Sequence, residues 1–239
     1  MRLPPVPLDD ITDQLHALPN SNPDQAFIRR YLGTPRQVLG VRADDLRKLA
    51  RATAQANQGW DDAAWLALLD ALYTGDLFEQ RSLAGLLLGL LHPLRRRLDL
   101  AHLRDWLAQQ AGWAEVDTTC QSSWTDKEVL ARWAAWDPFL EELSRSERIS
   151  LRRASLVLLV KPLRHNADAR LTQRALANVQ RLQGERDRMI TKAVSWVLRS
   201  MVAAQPETVR RYLDENAGEL QSTVVREVQK KLATGRKSG

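Results

Sequence analysis

At 239 residues with 44% hydrophobic content, the chain is long enough to bury a sizeable core, as one elongated domain or two ordinary ones. Its single cysteine, Cys120, excludes an internal disulfide framework, and no stretch approaches the ~20 unbroken apolar residues of a membrane span. The net charge of +6 is unevenly spread, because residues 145–199 hold thirteen Lys or Arg against four acids, a balance of +9 that leaves −3 for the rest. That asymmetry points to a polyanion, nucleic acid ahead of an anionic membrane surface.

In chain order, residues 1–7 contain three prolines and no apolar signal core, so a reducing cytoplasm is expected. Apolar residues then recur at helical spacing near 9–18, 23–32, 43–57, 61–73, 76–91, 99–110, 125–136, 146–160, 168–183, 186–204, 206–216 and 219–232. No period-2 strand is evident. Pro23 and Pro206 suit first helical turns, Thr125-Asp126-Lys127-Glu128 has capping-box spacing, and Ser146-Glu147 suits another start. Stops are expected at Gly33, Gly59, Gly75, Pro93, Pro138 and Pro162. Helix pairs recurring every 35–45 residues or so match the period of HEAT units. The expected fold is therefore all-α, a HEAT-like helical-repeat solenoid with a basic concave face. It spans 1–232 as a single domain, followed by a disordered basic tail at 233–239, and a monomer is the default for a solenoid that closes its core within one chain.

The candidate site centres on Gly112-Trp113-Ala114-Glu115-Val116-Asp117. If this stretch is helical, Trp113 and Asp117 stand one turn apart on a shared face. An aromatic ring and a carboxylate facing one partner suit stabilisation of a cation, while a Trp in a helix seam beside a solvated Asp is the plainer alternative. Arg152 and Arg153 interrupt an apolar helix, so one of them must lie near its buried side, either snorkelling along its stem or holding phosphate. Trp196 reads more readily as core than as a platform, and Tyr31, Trp124, Trp133 and Trp136 are assigned by default to packing. His16, His92, His102 and His165 are scattered without ligand spacing, and no glycine-rich phosphate loop is present, so neither a metal site nor a nucleotide-dependent enzyme is supported.

Four segments together carry a family resemblance. Leu39-Gly40-Val41-Arg42 continuing to Leu46-Arg47, Trp113-x-x-x-Asp117, Leu151-Arg152-Arg153-Ala154, and Lys192-Ala193-x-x-Trp196-Val197-Leu198-Arg199 resemble, in order and spacing, the HEAT-repeat DNA alkylation-repair glycosylases of the AlkD-like type over roughly residues 23–232. The resemblance implies a solenoid that wraps alkylated duplex DNA and hydrolyses the N-glycosidic bond of cationic N3- or N7-alkylpurines without flipping the base. By position it implies that Asp117 is the catalytic carboxylate, that Trp113 and Trp196 contact the lesion-bearing deoxyribose, that Arg153 holds a nearby phosphate, and that Tyr31 lies near the DNA. Arg152, Arg188, Lys192 and Arg199 are expected to be further DNA-binding cations. Ala114, where the family often has an acid, Asp44, where it often has Pro, and Arg188-Met189, where some relatives carry a bulky apolar pair, are departures that bear on substrate range.

The implied chemistry accounts for so sparse a site. A purine alkylated at N3 or N7 is already cationic and leaves as a neutral base, so one carboxylate suffices, with no general acid, metal or organic cofactor. The alternative is a non-catalytic HEAT-repeat nucleic-acid-binding module, against which the retention of an anion at Asp117 speaks.

Overall fold

The computed structural model describes residues 8–21 and 24–235. Among these residues the chain is all-helical, with fifteen α-helices and only two isolated β-bridges, Asn20 to Val41 and Gln37 to Leu77. No described helix is long and apolar enough to cross a membrane. The chain groups into two compact units, Met1–Ser123 and Trp124–Gly239.

The first unit comprises α1 (Leu8–Ala17), α2 (Gln25–Leu32), α3 (Ala43–Ala56), α4 (Asp62–Thr74), α5 (Phe78–Leu90), α6 (His92–Arg97), α7 (Leu100–Ala108) and α8 (Trp113–Ser122). Its centre is α5, which packs on α3, α4 and α8 and is buried almost all round. Leu83, Leu87 and Leu88 join Leu69, Leu72 and Tyr73 of α4 and Val116 and Cys120 of α8 in the core. Each such leucine contributes roughly 1.5–3 kcal/mol of burial. Of the polar residues buried on α5, Glu79 serves the backbone of a neighbouring loop: its carboxylate accepts the amides of Leu39 (3.0 Å) and Gly40 (2.9 Å). Gly89 lets α8 settle directly on the α5 backbone, since a Cβ there would stand 2.6 Å from Ser122 O.

The second unit comprises α9 (Asp126–Ala131), α10 (Trp133–Ser144), α11 (Ile149–Leu163), α12 (Ala169–Leu182), α13 (Arg188–Met201), α14 (Pro206–Asn216) and α15 (Ser222–Thr234). Helices pack on those two places along at four points, α9 on α11, α10 on α12, α11 on α13 and α13 on α15. This layering is how stacked helix pairs bury a continuous core. The centre is α11, buried on every side from Arg153 to Val160. Trp124, Trp136 and Phe139 form an aromatic cluster at one end, with centroids 4.9 and 5.6 Å apart, so Trp124 and Trp136 are packing residues as expected.

Several boundaries differ from those read in the sequence. Pro138 and Pro162 do not stop helices but lie inside α10 and α11. Each removes one intrahelical hydrogen bond, a loss outweighed by the burial of neighbours such as Phe139, Leu140, Leu159 and Leu163. Residues 125–136 divide at Arg132 into α9 and α10, and α6 and α8 are additional helices. Thr125 and Glu128 form the expected capping box, Pro206 sits in the first turn of α14, and Gly33 ends α2 in the left-handed conformation. Pro23 lies outside the described residues. α15 continues to Thr234 and is capped by Gly235, so the expected tail begins with ordered helix, and the remainder of it lies outside the described residues.

Candidate functional site

In the first unit, the Trp113-to-Asp117 stretch is helical, as its i,i+4 spacing requires for a shared face. Both side chains are half-buried, at the margin of the core rather than within it. Ala114, Val116, Thr119 and Cys120 form the buried side of α8.

The placement of Trp113 is fixed from α2. Its indole Nε1 donates to the Tyr31 backbone oxygen at 2.8 Å, and the Tyr31 ring meets the Trp113 ring edge-on at 5.7 Å with the planes 87° apart. Backbone meets backbone at this junction: a Cβ on Gly112 would lie 2.5 Å from Gly33 O, so the α8 N-cap tolerates only glycine. Tyr31 is 64% exposed, which overturns its default assignment to packing. Its ring lies on the surface beside Trp113.

Glu115 is the residue that sequence reasoning missed. It is 1% exposed, and its carboxylate accepts from Thr34 Oγ1 (2.5 Å), the Ala111 amide (3.1 Å) and Arg36 Nε (3.4 Å). Arg36 also donates to the Gln109 oxygen at 2.8 Å. One buried carboxylate thus ties the loop after α2 to the turn before α8, the two segments that set Tyr31 against Trp113. Nothing local signals this, because Thr34 and Arg36 are about eighty positions away in the chain.

In the second unit, Arg188, Lys192, Trp196 and Arg199 follow one another at helical spacing along the accessible side of α13, while Ile190, Ala193, Val194, Val197, Leu198 and Met201 face the core. Trp196 is half-buried and so is not a core residue. Lys192 and Arg199 share one counterion, Glu227 of α15, at 2.8 and 3.6 Å, and Ser195 Oγ donates to the same carboxylate. Burial acts to raise the Glu227 pKa, but the hydrogen bonds from Lys192 and Ser195, with the charges of Lys192 and Arg199, outweigh it and hold the group below the ordinary carboxylate range.

Neither arginine of the α11 pair snorkels freely. Arg152 pairs with Glu185 at 2.9 Å and donates to the Ser146 and Glu147 oxygens at 2.9 and 2.7 Å. Arg153 is the one on the buried side, 4% exposed, donating to the Met189 oxygen in the first turn of α13. Among the described residues, no group of three His, Cys, Asp or Glu is placed to hold a metal ion.

The fold and these sites define an all-helical protein that presents aromatic rings beside a carboxylate on one unit and a cationic, Trp-bearing helix on the other. The family model for DNA alkylation repair enzymes matches residues 11–232, and the chain belongs to that family. Its fold is similar to that of a protein described as a predicted DNA alkylation repair enzyme from Enterococcus faecalis, with a TM-score of 0.71 and 18% identity over 91% of this chain and 98% of that one. It is also similar to AlkD2 from Streptococcus mutans, with a TM-score of 0.56 and 17% identity over 90% and 97% of the two chains. Comparison with curated protein sequences gives no match. Family membership supports a role in DNA repair.

Proposed function

We propose that the chain is a DNA glycosylase that hydrolyses the N-glycosidic bond of cationic N3- and N7-alkylpurines in duplex DNA without flipping the base. The observation that carries this reading is the pair on α8: Trp113 and Asp117, one helical turn apart, both accessible, with the Tyr31 ring against Trp113.

The proposed step needs only what this pair supplies. As the C1′–N bond stretches, its electron pair moves to the cationic purine, which departs neutral, and positive charge grows on the sugar. The Asp117 carboxylate stabilises that charge, and it orients and deprotonates the water whose oxygen bonds to C1′. The Trp113 ring adds attraction for the polarised C–H groups of the sugar and limits access of bulk water. The sequence resemblance adds Trp196 as an aromatic and Arg153 as a cation directed at DNA on the second unit, where Trp196 is half-buried and Arg153, largely buried, donates to the Met189 oxygen.

The test is base release from methylated duplex DNA, with wild type and Asp117→Asn in parallel and the purines identified by chromatography. Wild type releases N3- or N7-methylpurine, while Asp117→Asn releases almost none yet binds intact duplex at least as well, having lost an anion. If neither protein releases base while both bind duplex in a salt-dependent manner, the glycosylase reading falls and a non-catalytic binding module replaces it.

A further inference from the structure

Helix α2 has no buried residue, yet it carries two of the three exposed large hydrophobic side chains among the described residues, Phe27 at 52% and Tyr31 at 64% exposure. The two rings stand one turn apart and are stacked, with centroids 6.4 Å and planes 11° apart. Since Tyr31 in turn meets Trp113, Phe27 adds a ring to the outer end of an aromatic row that leads to the helix of Asp117. Holding a Phe ring half in water forgoes on the order of 1 kcal/mol of burial, a cost that a surface contact would recover.

Charge near this row is mostly basic, and the one carboxylate at its start, Asp24, is turned to the Phe27 amide at 2.8 Å as the cap of α2. Between Asp24 and Asp44 the chain carries Arg29, Arg30, Arg36 and Arg42 and no carboxylate. Arg36 is committed to Glu115 and Gln109, and Arg29 donates to the Pro35 oxygen. Arg30 is exposed and stands three residues after Phe27, on the same face of α2. Two rings offer at most some 300–500 Å² even if wholly covered, well short of the ~800 Å² per partner of a stable protein interface. Aromatic side chains interleaved with arginine fit a nucleic-acid strand, whose sugars take the rings and whose phosphates take the cation.

We propose that this face of α2 is a DNA-binding surface, with Phe27 packing against a deoxyribose of the duplex backbone and Arg30 holding the adjacent phosphate. It rests on DNA as the partner and not on base release, so it stands or falls separately from the catalytic reading.

The experiment is a titration of a fluorescent, undamaged duplex with the full chain, its anisotropy followed over a series of salt concentrations, for wild type, Phe27→Ala and Arg30→Ala. Phe27→Ala weakens binding roughly 3- to 10-fold with an unchanged slope of log affinity against log salt, because an apolar contact releases no counterion. Arg30→Ala flattens that slope by about one unit. Both positions are exposed, so unchanged melting temperatures separate lost contact from lost fold. Wild-type affinity and slope in either variant overturns the proposal. So does a change confined to sedimentation mass, which would assign the face to a second copy of the chain.

Discussion

Trp113 donates its indole N–H to the backbone oxygen of Tyr31, 82 positions earlier in the chain, at 2.8 Å. The bond joins the end of α2 to the start of α8, so the orientation of one aromatic ring is set by the backbone that carries another. It also gives Trp113 a reason to be Trp beyond its ring area, since neither Phe nor Tyr has a donor at that position.

Trp113→Phe keeps an aromatic face and removes only that donor. Loss of the bond costs about 1 kcal/mol of stability. The larger expected effect is on the site: the freed ring no longer holds its angle to Tyr31, and base release falls several-fold while undamaged-duplex affinity changes less. Single-turnover release rates beside a thermal melt decide it; a rate loss no greater than the stability loss would reduce the Tyr31 bond to ordinary packing.

How much of this was legible in the sequence depends on the range of the interaction. The all-α class, the capping box of Thr125 and Glu128 and the one-turn spacing of Trp113 and Asp117 are local features and could be read directly. Helix α8 was absent from the periodicity because its buried side is built from Ala114, Thr119 and Cys120 as much as from Val116, small groups suited to close approach to α5 at Gly89. A helix seated backbone to backbone needs no stripe of large apolar residues. Pro138 and Pro162 misled for the converse reason, since buried neighbours hold α10 and α11 through a missing bond. Glu115 bonds to the loop after α2 and Glu227 to α13, partners about eighty and about thirty positions away that no local pattern in the sequence reveals.

Glu115→Gln tests the joint between the loop after α2 and the turn before α8. The substitution keeps the shape but replaces one carboxylate oxygen with an NH₂ group among donors, Thr34 Oγ1, Arg36 Nε and the Ala111 amide. Leaving such buried groups mismatched costs about 1–3 kcal/mol, more where charge is involved. Urea unfolding measures that cost. Because the same joint places Tyr31 and Trp113, release from methylated DNA falls further in this variant than in an equally destabilised substitution elsewhere in the first-unit core, such as Leu103→Ala. Equal losses in the two would make Glu115 a stability residue only.

Glu227→Gln addresses the cations of α13 and carries a pH signature. The folded-state pKa of Glu227 is lowered, so its ionised form contributes stability above the ordinary carboxylate value, and that contribution is lost as pH falls through the lower folded value. Wild type is therefore more stable than the variant at pH 7, and the gap narrows as the pH falls below about 4.5 toward the lowered folded value. Paired urea melts at pH 7 and pH 3 read the gap directly; a constant gap would mean that the ion pairs of Glu227 with Lys192 and Arg199 add nothing to the fold. The same change releases Lys192 and Arg199 from their shared counterion. Duplex binding by the variant should accordingly tighten at low salt and show a steeper salt dependence, by up to two released counterions. A less stable protein that binds DNA more strongly separates this role from simple damage to the fold, which would weaken both.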